Sequence, residues 1–593
     1  MFRHSYCGSL QKGPKMAENQ YRPWQNSYPS DVPAEVDTCV FNSLLDMYEF
    51  SCEKYPDRVA FISMGHSVTY RELNERVRSF AAFLENDFQV KKGDRIALML
   101  PNVIQYPVAL FGALLAGMVV VNVNPLYTPS ELVHQLRDSG ARIIVVISNF
   151  AHTLQKALLE ISLDRIIVTN MGDECGAFRG SLVNIAVKYF KRLVPRFSLP
   201  NSVSYKTVLS IGSGCPYTRP LVSREDLAFL QYTGGTTGTA KGAMLTHHNI
   251  LANVEQSLGM YGPVLQEGDE YVVTAIPLYH VFALTINLMV FFRLGGTSLL
   301  IADPRRIKSL VRELHSFNPT CLTGVNTLFG ALIDNQEFCS MHLSRLRLVI
   351  GGGTSVQKGV EQRWFTNTGL HILEGYGLTE CSPLVAVCPH NISEYNGTIG
   401  IPVPSTEVII RGDDGSVITE PGVPGELEVK GPQVMKGYFG RDVATRDTFD
   451  GDYLKTGDIA CWANDRGFLK IVERKKDMIL VSGFNVYPTE IEDVISLHPN
   501  VAEVAAIGVP SQHSGEVVKV FIVRKNKALT AEMVKTLCQK HLTKYKVPKY
   551  IEFIDKMPKT NVGKILRKEL RAMELQRIGI NPDKDGKQVF RNK

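Results

Sequence analysis

Five short runs carry the residues best suited to chemistry. "YTGGTTGTAKG", Tyr232 to Gly242, follows the apolar run Leu227 to Tyr232. Gly234, Gly235 and Gly238 let backbone N–H groups come close to phosphate oxygens, Thr233, Thr236, Thr237 and Thr239 add hydroxyls, and Lys241 adds a positive charge. The loop does not end in Gly-Lys-Ser/Thr, so it is not the P-loop of nucleotide hydrolases. "EGYGLTE", Glu374 to Glu380, sets Gly375 and Gly377 around Tyr376, whose ring is suited to stack on a base; Thr379 and Glu380 follow. A carboxylate beside a phosphate site suits Mg2+, which takes one or two carboxylates plus phosphate oxygens and water. "YLKTGDIA" sets Asp458 after a glycine, where a carboxylate can accept both hydroxyls of a ribose, although Thr-Gly-Asp is also a common turn. "ERKKDMILVSGFNVYP" groups Arg474, Lys475, Lys476 and Asp477, and "PKTNVGKILRKEL" sets Lys564 after a glycine near the C-terminus.

The elements that must position these runs follow from pattern. "RIALML", "ARIIVVIS", "RIIVTN", "EYVVTAIP", "TSLLIA" and "RLVIGGG" alternate with helical stretches, which is the rhythm of parallel α/β layers. After about Glu394 short strands broken by Asp-Asp-Gly, Pro-Gly and Val-Pro-Gly turns predict antiparallel hairpins or a small barrel. After Lys476 a compact α+β pattern begins, with Pro488 at the first position of a helix and acidic residues in its first turn. The predicted fold is α/β. A large N-terminal domain, residues 41–475, holds two layered α/β subdomains plus a small β-barrel at about 395–475. A smaller α+β C-terminal domain spans 476–575, between an extended arm at 1–40 and a tail at 576–593.

Composition limits the classes open to the chain. Its 593 residues, 44% hydrophobic and 21% charged, indicate several folded cores and no disordered block. A net charge of +6 over this length permits contact with anionic ligands or lipid and does not argue for nucleic acid. Eleven scattered cysteines without a Cys-x-x-Cys pair read as reduced thiols of a cytoplasmic protein. The basic N-terminus has no apolar core of a signal peptide, and Met16, followed by Ala-Glu, offers an alternative start. "YPVALFGALLAGMVVVNV" has a membrane-span look, but Pro107 breaks its front, Asn122, Asn124 and Pro125 its back, and Gly117 splits it into a buried helix and a buried strand. "VFALTINLMVFFRLGGTSLLIA" reads as helix, turn, strand. "VNIAVKYFKRLVPRF", Val183 to Phe197, interleaves Lys188, Lys191, Arg192 and Arg196 with apolar residues. It suits either an anionic membrane surface or a solvated helix whose apolar face enters the core.

Taken in order over Phe41 to Leu570, the five runs resemble the adenylate-forming superfamily of acyl-CoA synthetases, luciferases and peptide-synthetase adenylation domains. "LQYTGGTTGTAKGAMLTHHN", "PLYHVFALTIN", "TGVNTLFGAL", "EGYGLTECSPLV" and "RKKDMILVSGFNVYPTEIEDV" are most similar to bacterial long-chain fatty acid–CoA ligases. The resemblance implies that Gly234, Gly235, Thr236, Thr237, Gly238, Thr239 and Lys241 grip the β,γ-phosphates of ATP, and that Thr233 and Glu380 hold Mg2+. It implies an adenine pocket at Gly352, Gly375, Tyr376 and Gly377, beside Thr379, ribose ligands at Asp458 and Arg474, and a hinge at Lys476. Lys564 matches the lysine that catalyses adenylation, Gly483 lies near the CoA pantetheine channel, and His280 lies near the carboxylate and thiol. Gly324, Val325 and Phe329 border the acyl tunnel, with Gly324 and Gly330 leaving room beside the helix. Because Lys564 belongs to the small domain, that domain is expected to move between half-reactions. The partners implied are a fatty acid, ATP, CoA and Mg2+, with peripheral contact at the inner membrane surface, no nucleic acid, and a homodimer left open. Transfer to a carrier protein, or fatty acid binding without catalysis, are the competing readings. Lys475 stands where relatives often have an apolar residue, and little is expected to depend on it.

Overall fold

A computed structural model describes residues 21–233, 240–482, 484–511, 514–560 and 565–577. Two large sheets dominate it. One has seven strands, from Ser202–Ser204 at one edge through Arg165–Thr169, Ile143–Ile147, Arg95–Met99, Val119–Asn122 and Leu227–Tyr232 to Gly242–Thr246. All its pairings are parallel except the last, where Leu227–Tyr232 turns back on Gly242–Thr246. The other has nine strands and is parallel through Tyr271–Thr274, Cys321–Gly324, Leu348–Gly352 and Leu373–Gly377.

The largest core cluster takes side chains from both sheets and from the helices between them. The helix Gln105–Leu115 is buried on every side, as an uninterrupted apolar helix must be, and Gly117 at φ +73° turns the chain into the strand Val119–Asn122. The second apolar stretch is also a helix, Ala283–Val290 and Phe291–Arg293, that turns at Gly295 into the strand Thr297–Leu300. Among the described residues no helix is long and apolar enough to cross a membrane, and no cysteine forms a disulfide. Separate cores lie on the outer faces of the two sheets.

Five antiparallel strands between Glu407 and Arg474 form a third sheet. Part of the N-terminal arm is bound to it. Trp24, 2% exposed, stacks on Trp462 with ring centroids 5.7 Å apart. The Tyr21 hydroxyl donates to the Thr419 carbonyl, and the Ser405 N–H to the Ala34 carbonyl. Gly467 is required there, since a Cβ would lie 2.3 Å from the Trp24 nitrogen. The chain then passes into an α+β unit with its own cores. Its sheet is built on the long hairpin Val501–Ser511 and Gly515–Arg524, flanked by helices Pro488–Ser496, Ala531–His541 and Arg567–Arg577.

Candidate active site

The seven-stranded sheet ends in the antiparallel pair Leu227–Tyr232 and Gly242–Thr246, which the threonine-glycine run joins in sequence. Tyr232 pairs with Gly242, and the Thr233 N–H donates to the Lys241 carbonyl at 3.0 Å. The two ends of the loop are therefore fixed across from each other. Gly234, Gly235, Thr236, Thr237, Gly238 and Thr239 themselves lie outside the described residues, as do Gly483 and Lys564. The Tyr232 ring covers Gly242, where a Cβ would sit 3.1 Å from it, and its hydroxyl donates to Asp138 at 2.8 Å. Arg441 pairs with the other oxygen of Asp138 at 2.5 Å.

The segment Met435–Phe439 runs alongside this hairpin and joins it to the second motif. Phe439 N–H donates to Gly242, Met244 N–H to Gly437, and Met435 N–H to the Glu380 carbonyl. Tyr438 lies at the junction: its ring sits 4.8 Å from the Lys241 ammonium, and its hydroxyl donates to the Glu380 carboxylate at 2.6 Å. Burial raises the Tyr438 pKa, and the Glu380 charge raises it further, so the phenol keeps its proton. Nothing in the sequence reading singled out Tyr438; the available signal was its place in "MKGYFG". Glu380 and Tyr438 line a cavity of about 390 Å3 together with Thr456, Gly457 and Lys475.

Gly352 and Gly375 are neighbours across parallel strands. A Cβ on Gly377 would lie 2.1 Å from the Pro383 carbonyl, so that position requires glycine, and one on Gly352 would press at 3.0 Å on the Phe282 ring. Thr379 opens the short 3-10 turn that carries Glu380. Tyr376 donates to one oxygen of Asp458 at 2.7 Å, while the Arg474 guanidinium lies 3.1 Å from the other. Asp458 and Arg474 are register partners in the third sheet, which explains how two separate motifs meet. Each Asp458 oxygen keeps a lone pair, so the carboxylate can still accept a vicinal diol. Glu374, which begins the same motif as Tyr376, is buried beneath it, and desolvation pushes its carboxyl up to about 8.

At the junction of the third sheet and the small unit, Lys475 pairs with Glu426 at 2.7 Å. Asp477 is buried, hydrogen-bonded to Arg571 at 2.8 Å. Lys476 stands between these anchors, its pKa lowered first by desolvation and then by Arg474. His280 is half-buried just before the helix Ala283–Val290, and the Phe282 N–H donates to its Nδ1 at 3.3 Å, which leaves the proton of a neutral ring on Nε2. Around Gly324 the expectation of open space is corrected. The Phe329 ring fills that side, 2.9 Å from where a Cβ would be, and is fully buried against Trp364. Phe329 is thus a core residue in this arrangement. Val325 is half-buried, and Gly330 has space beside it, its nearest neighbour being Val360 at 4.0 Å.

A hairpin that carries the Lys241 ammonium, a carboxylate held by a phenol, a glycine-lined strand end and a diol acceptor suit a nucleoside triphosphate. The comparisons agree. A family model described as AMP-binding enzyme matches residues 48–439, and one described as AMP-binding enzyme C-terminal domain matches residues 490–564. The chain is 57% identical to a long-chain-fatty-acid–CoA ligase of Yersinia pestis over 553 residues, covering 93% of this chain and 98% of the relative. It resembles the solved structure of ATP-bound MatB from Rhodopseudomonas palustris at 26% identity and TM-score 0.74, over 91% of this chain and 100% of that one. It shares the fold of the anthranilate CoA ligase AuaEII in complex with anthranoyl-AMP, at 23% identity and TM-score 0.79, over 93% and 99%.

Proposed function

The chain belongs to the AMP-binding enzyme family and is an ATP-dependent, adenylate-forming ligase; from that premise we propose that it activates long-chain fatty acids to their CoA thioesters. In the first half-reaction a carboxylate oxygen attacks the α-phosphorus of ATP. The bond to the bridging oxygen breaks, and pyrophosphate leaves. In the second, the CoA thiolate attacks the acyl carbon of the acyl-adenylate, and AMP leaves with the electron pair of the C–O bond.

The roles are those that the family resemblance implies, and the contacts at Asp458 and Glu380 support them. Thr233 and Lys241 at the base of the loop, with Gly234 to Thr239, hold the leaving pyrophosphate. Gly352, Gly375, Tyr376 and Gly377 bound the adenine, with Thr379 beside it, and Asp458, steadied by Tyr376 and Arg474, accepts the ribose hydroxyls. Glu380 with Thr233 fits Mg2+: one carboxylate, held in orientation, at the wall of a polar cavity. When bound, the ion offsets phosphate charge as it gathers in the transition state. Lys564 supplies a second positive charge at the α-phosphate, and the small domain turns about Lys476 to exchange it for the CoA face near Gly483. His280 lies toward the acyl carboxylate, and Val325 toward the acyl chain. The site works from the cytoplasm against the inner membrane surface, into which such acids partition.

The observation that carries this reading is the convergence of Lys241, Tyr438 and Glu380 beside the Asp458–Tyr376–Arg474 cluster. The test is pyrophosphate, AMP and acyl-CoA formation from C6 to C20 acids, with kcat/KM rising toward long chains. Each buried methylene is worth roughly 0.8 kcal/mol, or about four-fold. Acyl-adenylate accumulation with CoA unconsumed would instead support transfer to a carrier protein. Lys564→Ala should lose adenylation yet still convert supplied acyl-adenylate to thioester; full activity would refute its role.

A further inference from the structure

The helix Ala177–Ile185 and its continuation Ala186–Phe190 lie on the protein surface with their polarity reversed. The inward face is built from Gly180, Asn184 and the single buried apolar residue Val187. Gly180 packs on Gly172, where a Cβ would lie 2.3 Å from the Gly180 carbonyl, and Asn184 accepts from the Gly172 N–H at 2.8 Å. The outward face is apolar. Phe178, Leu182, Ile185 and Tyr189, spaced by four, three and four residues, are 80%, 51%, 46% and 65% exposed. Phe190 and Leu193 extend the stripe at 82% and 45%. Of the two readings of the basic segment, the one that buries its apolar face fails: Val187 is buried, but the stripe itself does not enter the core. A contiguous exposed apolar stripe on a soluble fold marks an interaction surface.

Charge indicates what covers it. From Cys175 to Arg224 there is no Asp or Glu, while Lys188, Lys191, Arg192 and Arg196 follow the stripe, all exposed. The acids just before it are turned inward: Glu174 is paired with Arg76 at 3.1 Å and Tyr205 at 2.6 Å, and Asp173 accepts from Asn184. No acidic residue within this strip repels an anionic surface. An apolar helix face with aromatic residues beside a cluster of cations is the composition that settles into a headgroup layer. At about 1.5 Å per residue, Ala177 to Phe190 spans roughly 21 Å, which suits lying in the interface and not crossing it.

We propose that Phe178–Leu193 is the element by which the protein docks on an anionic phospholipid bilayer. This rests on the reading that the enzyme works at a membrane surface, and it names the surface that does so. The test uses the full chain in sedimentation with vesicles of phosphatidylcholine and phosphatidylglycerol (3:1), and with phosphatidylcholine alone. Wild type should bind the anionic vesicles and release as salt rises. Lys191→Glu with Arg192→Glu should weaken binding at least about twenty-fold, at about five-fold or more per cation lost. The triple variant Phe178→Ser, Tyr189→Ser, Phe190→Ser should abolish binding with an unchanged melting temperature and unchanged acyl-CoA formation from octanoate in solution. If both variants bind as wild type does, this docking surface is wrong although membrane attachment stands. If wild type binds neither vesicle, membrane attachment fails with it. A wild-type dimer that the triple variant converts to monomer, with no vesicle binding, would reassign the stripe to contact between copies of this chain. Octanoate turnover reports the ligase reading independently of every vesicle result.

Discussion

Tyr438→Phe removes one hydroxyl and leaves the ring, so it isolates the 2.6 Å bond that orients the Glu380 carboxylate. The remaining phenyl ring would still lie under the Lys241 ammonium, 4.8 Å away in the native protein. A hydrogen bond to a charged acceptor is worth about 1.5–3 kcal/mol. If that orientation is needed for the metal and the phosphates, the loss corresponds to roughly a 10- to 150-fold fall in kcat/KM for ATP. It should be accompanied by a higher Mg2+ concentration for half-maximal rate. Burial and the neighbouring carboxylate hold the phenol pKa up, so the native donor is intact across the assay range and the effect should not vary between about pH 6.5 and 8.5. The assay is pyrophosphate release at saturating palmitate with Mg2+ titrated from micromolar to millimolar. Tyr438→Leu, which also removes the ring, should cost more. Refutation would be a Phe variant with wild-type Mg2+ dependence and wild-type kcat/KM, because Glu380 would then not need the bond that fixes it.

Three further outcomes follow from the same geometry. Glu374 titrates near 8 in the folded protein against an ordinary value near 4.5, so the folded state holds the extra proton and stability falls as pH rises between those values. The slope totals roughly 4–5 kcal/mol at most, and Glu374→Gln should abolish it, so that its melting temperature gains on wild type steadily from about pH 5.5 to about pH 8.5; parallel curves would contradict it. Trp24→Ala, at a 2% exposed ring stacked on Trp462, should cost about 3–5 kcal/mol and lower the melting temperature; an unchanged transition would mean that the packing of the N-terminal arm is dispensable. Lys475→Leu removes a half-exposed pair with Glu426 worth roughly 0–1 kcal/mol, so stability should barely change and kcat/KM should stay within about three-fold of wild type; a larger loss on either measure would give the pair a role beyond the surface.

Much of the architecture was legible because its signals are local. Gly117 and Gly295 interrupt apolar stretches that would otherwise look like membrane spans, and each turn lies where glycine permits a positive φ. The runs carrying Lys241 and Glu380 stood out because glycines cluster in them, whereas Asp458 and Arg474 drew their expected roles mainly from the family resemblance. Pairings between distant segments were not legible. Tyr438 meets Glu380 only because Met435–Phe439 is laid against the loop hairpin, a contact across 58 positions. Trp24 meets Trp462 in the same way. Room at Gly324 was expected because glycine has no side chain, yet the space at a glycine can be filled by a neighbour's own ring, here that of Phe329. The basic segment stayed ambiguous because an amphipathic pattern does not say which face turns inward; Gly172, Gly180 and Asn184 decide it through close packing.

The central claim is that the acid's own oxygen attacks the α-phosphorus of ATP. It is tested most directly with palmitate labelled with 18O in both carboxylate oxygens, turned over with ATP and CoA, the nucleotide products being weighed by mass spectrometry. One 18O atom should appear in AMP for each acyl-CoA formed, with none in pyrophosphate. Label in pyrophosphate, or ADP and phosphate as products, would contradict the account.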